Sequence, residues 1–243
     1  LGELNGSHTG AFVSATASVN TGYLGVIFDT AYTGAGLRIA EVLPGSILKQ
    51  ACPTLEAGAV ISEIDGKEIA PMTTWYDALA NLSKRPLVLT IGKEKVRVTP
   101  NANDKDEMYR RWVRRNEELV TKLSGGRVGY VHVQGMNSPS FREVFSKALG
   151  KFLNCDALIV DTRYNGGGWL HNDLATFLDG KAYTHRKPRN VYMGTEPYDK
   201  WVKPSCVVVG EANYSDACGF PYVYRALGTG KIIGAPVPGT ATS

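Results

Sequence analysis

The chain is 243 residues long, 43% hydrophobic and 21% charged, with a formal net charge of +4. Such a composition excludes a disordered or low-complexity protein, and the length holds one large domain or two modest ones. No apolar run approaches the roughly 20 residues of a membrane-spanning helix, and the weak, dispersed positive charge argues against nucleic acid as a partner. The one dense basic cluster, Arg110, Arg111, Arg114 and Arg115, reads as the solvated face of a helix.

Cys52, Cys155, Cys206 and Cys218 show no CxxC spacing and fit buried free thiols. Because the sequence starts at Leu1, targeting is not readable from it, and both an exported (periplasmic) and a cytoplasmic location stay open.

Residues 1–17 form an N-terminal segment whose turn-rich stretch Asn5-Gly6-Ser7-His8-Thr9-Gly10 predicts a loop or element end for His8. A histidine on a turn is usually only polar. It becomes a candidate base because a serine nucleophile recruits its base through space. The other histidines are weaker candidates: His132 falls inside the strand-like run from Val128 to Val133, His171 in a first helical turn, and His185 in a basic loop.

Residues 18–100 predict a small separate domain. Leu24 to Phe28, Leu37 to Val42, Val60 to Ile64, Leu87 to Ile91 and Lys95 to Val98 read as short strands between Gly, Pro and Asp turns. Asp65-Gly66 is a hairpin-turn signal, and Trp75, Leu79 and Leu82 mark a helix over residues 73–82. Short strands with one helix suggest a partly open sheet-barrel.

The segments Tyr23-Leu24-Gly25-Val26, Val42 to Ser46 and Ala57 to Lys67 resemble, in that order, the PDZ domains attached to bacterial proteases. The resemblance implies that Tyr23, Leu24, Gly25 and Val26 form a peptide-binding edge, with backbone amides meeting a terminal carboxylate. The competing reading is a domain that only packs against its neighbour. Residues 101–126 predict a linker helix with Met108, Trp112, Leu119 and Leu123 on one stripe, closed by Gly125-Gly126.

From residue 127 to 243 strands and helices alternate. Val128 to Val133 reads as a strand, and Phe141, Val144, Phe145, Ala148, Leu149 and Phe152 mark a helical face begun at Ser138-Pro139. Ala157 to Val160 and Cys206 to Val209 are fully apolar, as strands of a doubly covered parallel sheet are. A helix follows from Leu170 to Leu178, and Ile232-Ile233 starts a further strand. This is an α/β pattern, whose functional groups collect beyond the carboxyl ends of the strands.

Two stretches fall at that edge. Asp161-Thr162-Arg163-Tyr164-Asn165-Gly166-Gly167-Gly168 follows one apolar strand. Its glycines could cradle a phosphate, supply an oxyanion-hole amide, or simply make a tight turn; GxxxxGK[ST] and GxGxxG are both absent. Ser215-Asp216 lies where the next apolar strand hands over to a helix. Ser215 could merely cap that helix, or expose its hydroxyl while the Asp216 amide faces a developing oxyanion. The loop from Lys181 to Trp201 is expected to line a substrate groove.

Those two stretches, together with Asn5-Gly6-Ser7-His8, resemble the tail-specific and tricorn serine peptidases, the tricorn branch in particular. The resemblance implies a ClpP/crotonase-like α/β peptidase domain with an inserted PDZ-like domain. It also implies that Ser215 is the nucleophile, His8 its general base and Ser7 a helper of the relay. Asp216 with Gly166 or Gly167 would form the oxyanion hole. The tail-specific branch has a lysine base about 25 residues after its serine; here that region reads Gly239-Thr240-Ala241.

The tricorn relay glutamate has no counterpart before Ser243, so a C-terminal truncation is expected, as are further domains ahead of the chain. Peptide or protein substrates, homo-oligomer formation and no metal or other cofactor are what the resemblance implies. No HExxH or paired Cys/His spacing suggests a metal either. The alternatives are a catalytically inert peptide-binding protein and, more weakly, a nucleotide-binding α/β protein.

Overall fold

A computed structural model describes residues 19–240. It divides into two compact units, whose described parts are residues 19–114 and 115–240.

The first unit is a mainly antiparallel sheet with two short helices. β1 (Val26–Phe28), β2 (Leu37–Val42), β3 (Val60–Ile64), β5 (Leu87–Ile91) and β6 (Glu94–Val98) lie in the order β1-β2-β3-β5-β6, and β4 (Lys67–Glu68) pairs with β3. The Asp65-Gly66 signal holds: both residues have positive φ, 51° and 78°, as a two-residue hairpin turn demands. The predicted helix over residues 73–82 contracts to one turn, α2 (Trp75–Ala78), capped by Thr74.

The sequence reading missed α1 (Ile47–Ala51), whose cap Ser46 accepts from the Lys49 N–H at 3.2 Å. Leu24, Ile39, Leu48, Ile61, Leu79 and Leu89 fill the core between these elements. Burying each contributes about 1.5–3 kcal/mol.

α3 (Lys105–Ser124) starts in this unit. Its predicted apolar stripe is largely solvent-facing: Met108, Leu119 and Leu123 are exposed, and the buried residues are Glu107 and Val113. The arginines hold the helix instead. Arg111 and Arg114 both pair with Glu41, so part of the basic cluster is engaged within the protein. Among the described residues no helix is long and apolar enough to cross a membrane.

The second unit is α/β. β7 (Val128–His132), β8 (Ala157–Asp161), β11 (Ser205–Val209) and β12 (Lys231–Gly234) form a parallel sheet in the order β12-β11-β8-β7. α4 (Ser138–Ser146), α5 (His171–Leu178) and α6 (Asp216–Ala226) follow β7, β8 and β11. α4 continues into a wider π-type turn, Lys147–Lys151.

The α4 cap is Asn137 rather than Ser138: its side chain accepts from the Ser140 N–H at 3.0 Å, placing Pro139 inside the first turn. Leu158, Val160 and Val207 are fully buried, because β8 and β11 are central and covered by helices. The loop after α5 is not irregular throughout. It forms a hairpin of β9 (Thr184–Arg186) and β10 (Gly194–Glu196), so His185 lies on a strand and not in a basic loop. With Leu149 and Leu153 this excursion lines a groove of about 510 Å³.

The strand order positions the site. β8 and β11 are neighbours, so the glycine triplet following one and Ser215 following the other leave the same edge of the sheet.

Candidate active site

The turn that carries Ser215 is built around Asn213. This side chain is fully buried. Its Oδ1 accepts from the Gly210 N–H at 3.1 Å, and its Nδ2 donates to Thr162 Oγ1 at 2.9 Å and to the Ala217 carbonyl at 3.2 Å. One asparagine thus closes the turn after β11 and fastens it to the end of β8.

Ser215 stands at the N-cap position of α6, but its side chain makes no capping hydrogen bond. Its backbone has φ 53° and ψ −125°, a region that costs an L-residue about 1–3 kcal/mol. Its N–H donates to Thr240 Oγ1 at 2.9 Å. A serine that only capped the helix would have extended backbone and an engaged hydroxyl. Ser215 has neither, so the capping reading is set aside on geometry.

The glycine loop is fixed by a second buried asparagine. Asn165 donates through Nδ2 to the Val133 carbonyl at 2.8 Å and accepts from the Gly167 N–H at 2.8 Å, while its carbonyl receives the Tyr214 N–H at 2.9 Å. Met136 brackets the loop, donating to the Gly167 carbonyl and accepting from the Trp169 N–H. Gly167 has φ 96°, and a Cβ there would lie 2.7 Å from Ser215 Cβ and 3.1 Å from the Asp216 nitrogen. A side chain at Gly168 would strike the Met136 carbonyl. The loop therefore uses its glycines for close approach to Ser215 and to the residues after β7.

Asp216 opens α6, so its N–H has no intrahelical acceptor, and among the described residues it has no other. That donor sits at the positive end of a helix. The Asp216 carboxylate accepts from the N–H groups of Leu170 at 2.7 Å and His171 at 3.1 Å, and closely contacts His171 Nδ1.

Beneath the loops lies a buried polar cluster. Asp161, fully buried at the end of β8, accepts from Tyr130 Oη at 2.8 Å and from Arg163 Nε and Nη2. Burial, and then the charge of Asp161, push the Tyr130 phenol well above its ordinary pKa. Burial holds His132 below its ordinary value, while its Nε2 meets the Arg163 carbonyl at 2.8 Å. Burial alone pushes the Cys206 thiol up. A cavity of about 430 Å³ opens at the carboxyl ends of β8, β11 and β12, lined in part by Arg163, Tyr164, Glu211 and Gly234.

Of the residues singled out by sequence, Ser215, Asp216 and Gly167 stand together, and Gly166 lies exposed beside them in the loop. The Gly167 N–H is engaged by Asn165. His8 and Ser7 lie outside the described residues, and no described group hydrogen-bonds the Ser215 hydroxyl. Tyr23, Leu24, Gly25 and Val26 belong to the other unit. There the N–H and carbonyl of Tyr23 both bond Asn101, at 3.0 and 2.8 Å. Trp75 stacks on Phe28 and meets Tyr23 edge-on.

Sequence reasoning missed Asn165, Asn213 and Thr240. The two asparagines had a signal, since a polar residue between a buried strand and a glycine or serine turn commonly closes that turn. Thr240 had none.

Comparison with known proteins agrees with this geometry. Residues 127–243 match the sequence profile of peptidase family S41. The chain is 29% identical over 188 residues to the tricorn protease of Thermoplasma volcanium, covering 74% of this chain and 18% of that protein. It is 29% identical over 251 residues to tricorn protease homolog 1 of Streptomyces coelicolor, covering 96% of this chain and 23% of that protein. The crystal structure of the tricorn protease superposes with a TM-score of 0.75 at 23% identity, over 90% of this chain and 22% of that one.

Residues 127–243 are thus a serine-type peptidase domain of family S41. The chain as a whole is similar to the tricorn proteases and has the mixed α/β fold of the tricorn protease. The chain spans 18% and 23% of the length of these two relatives.

Proposed function

We propose that this chain hydrolyses peptide bonds, with Ser215 as nucleophile and His8 as general base. The observation that carries the reading is the Ser215 backbone, held at positive φ with a side chain that makes no capping bond, and packed so close to Gly167 that a Cβ there would lie 2.7 Å from Ser215 Cβ and 3.1 Å from the Asp216 nitrogen. In this reading Ser215 Oγ attacks the substrate carbonyl carbon and its proton passes to the His8 imidazole, with Ser7 assisting. The oxyanion is received by the Asp216 N–H and by one amide of Gly166-Gly167. Gly167 is the nearer, and its N–H would exchange Asn165 Oδ1 for the oxyanion as substrate arrives. His8 then returns the proton to the departing amine, and water cleaves the acyl-enzyme by the same steps in reverse.

The domain reading accompanies it: an N-terminal segment over residues 1–17, a PDZ-like domain over 18–100, a linker helix over 101–126 and a ClpP/crotonase-like peptidase domain over 127–243. β1 is an edge strand, which suits addition of a peptide strand. Since Asn101 engages Tyr23, a peptide carboxylate would meet the amides of Leu24, Gly25 and Val26. Peptide or protein substrates and assembly into a homo-oligomer complete the proposal.

The test is covalent labelling with a fluorophosphonate, read by peptide mapping. Ser215 is expected to be the modified residue, and His8→Ala to lose the label. Labelling that persists in Ser215→Ala overturns the assignment of the nucleophile. Peptide binding without any labelling would turn the reading to an inert peptide-binding protein.

A further inference from the structure

We propose that the Asp216 side chain is a positioning group for the oxyanion hole, acting by capping α5 from another helix. The proposal rests on the reading of Ser215 as nucleophile. It concerns the carboxylate of Asp216, whereas that reading uses only the backbone N–H.

The starting point is a deficiency in α5. Its N-cap residue is Leu170, which has no side-chain acceptor and makes no capping bond. The first N–H groups of any helix have no intrahelical partner. Here Leu170 and His171 direct theirs to Asp216 Oδ2 at 2.7 and 3.1 Å, and His171 Nδ1 meets Oδ1 of the same carboxylate. The Asp216 side chain is 8% exposed, so these contacts form away from bulk water, where charge-assisted bonds are strong. A residue 46 positions along the chain from Leu170 thus supplies the cap that the α5 sequence lacks.

Two consequences reach the site. Asp216 is a single residue, so fixing its carboxylate on α5 limits rotation of its own peptide plane. That plane runs from the Ser215 carbonyl to the Asp216 N–H, and it is also held by the Cys218 N–H donating to the Ser215 carbonyl at 2.8 Å and by the packing of Gly167 against Ser215. The direction of the Asp216 N–H is therefore set by contacts on both sides.

The second consequence is electrostatic. A carboxylate one residue from the nucleophile would oppose an oxyanion, since like charges at short range repel. Placed on the positive end of α5 and against His171 Nδ1, its charge is met locally. The same arrangement orients the donor and moderates the charge beside it.

The experiment uses the chain with Asp216→Ala, Asp216→Asn and His171→Ala. Fluorophosphonate titration counts the active sites, and kcat and KM on a fluorogenic peptide are expressed per titrated site. Asp216→Ala is expected to lower kcat per site on the order of 10- to 100-fold with KM little changed. That is less than the full loss of one oxyanion donor, about 100- to 1,000-fold, because the N–H remains but is misaimed. Asp216→Asn keeps an acceptor oxygen in the same place and should recover most of the rate.

If Asp216→Ala fails to fold, His171→Ala carries the test, with a smaller fall in kcat per site expected. An unchanged kcat per site in the variants, with only the number of titratable sites reduced, overturns the proposal and leaves Asp216 a purely structural cap. Absence of labelling at Ser215 in the unsubstituted chain would instead remove the nucleophile reading, and the positioning role with it.

Discussion

Gly167 and Ser215 are packed so closely that neither can change independently. A Cβ on Gly167 would stand 2.7 Å from Ser215 Cβ and 2.8 Å from the Tyr214 carbonyl, and the Gly167 φ of 96° disfavours any side chain in addition. Gly167→Ala must therefore displace the Ser215 turn or the glycine loop. The expected outcome is a loss of about 1–3 kcal/mol of stability together with loss of fluorophosphonate labelling, read by denaturant titration and by mass spectrometry.

Ser215 should show a conflict between stability and function. Its φ of 53° is unfavourable for serine and ordinary for glycine. Ser215→Gly is expected to abolish hydrolysis while raising stability by about 1 kcal/mol; Ser215→Ala should abolish hydrolysis without that gain. A Ser215→Gly variant no more stable than Ser215→Ala would mean that the backbone there is unstrained.

Thr240 holds the Ser215 N–H, and its hydroxyl also lies 3.3 Å from Cys218 Sγ. Thr240→Val keeps the shape and removes the acceptor. Leaving a buried N–H without its partner costs about 1–3 kcal/mol, and the partly buried Ser215 N–H falls toward the low end of that range. A fall in labelling rate at Ser215 of about tenfold, corresponding to 1.4 kcal/mol, is the expected result, and stopped-flow labelling would measure it.

His132 makes stability depend on pH with a definite sign. Burial keeps its folded pKa below the ordinary value of 6.5, against the opposing pull of its bond to the Arg163 carbonyl and of Asp161. The unfolded chain therefore binds more protons than the native state as pH drops through 6.5. Stability from this group is fully present above 6.5 and is lost as pH falls toward the folded pKa, at up to about 1.4 kcal/mol per pH unit. Urea titrations between pH 7 and pH 5, roughly spanning the ordinary histidine range, should show a shallower decline in His132→Gln.

Asp161 is fully buried, with Arg163 as its cation and Tyr130 as a hydroxyl donor. Removing one partner of a buried pair leaves a charge without compensation. Arg163→Met is expected to destabilise the fold by about 2–4 kcal/mol, short of the largest such losses because water reaches the guanidinium. Replacing Asp161 by Asn in the same background should recover part of it, and a double-mutant cycle in denaturant would reveal the coupling.

Much of this architecture was legible in the residue pattern. The apolar runs at β8 and β11 have no polar face, which requires a sheet covered on both sides, and glycine- and serine-bearing turns follow directly. Asp65-Gly66 specified its turn through local backbone preference alone. Where the reading failed, tertiary context had overridden local pattern. The α3 pattern places four apolar residues on one stripe of a linker helix, yet three of them are exposed and the helix is held by arginine pairs to Glu41. His185 looked like loop because a three-residue strand carries almost no periodic signal.

By itself the sequence determined a parallel α/β unit, a preceding unit of short strands, and the placing of Gly167 and Ser215 after two buried strands. Only the tertiary structure decided what holds those residues in place. Asn213 reaches Thr162 across 51 positions, Asp216 reaches Leu170 across 46 and Ser215 reaches Thr240 across 25. Hydrogen bonds over such separations follow from which strands lie side by side. That order is set by how the covered faces pack together, a property of the assembled sheet that no local stretch of sequence contains.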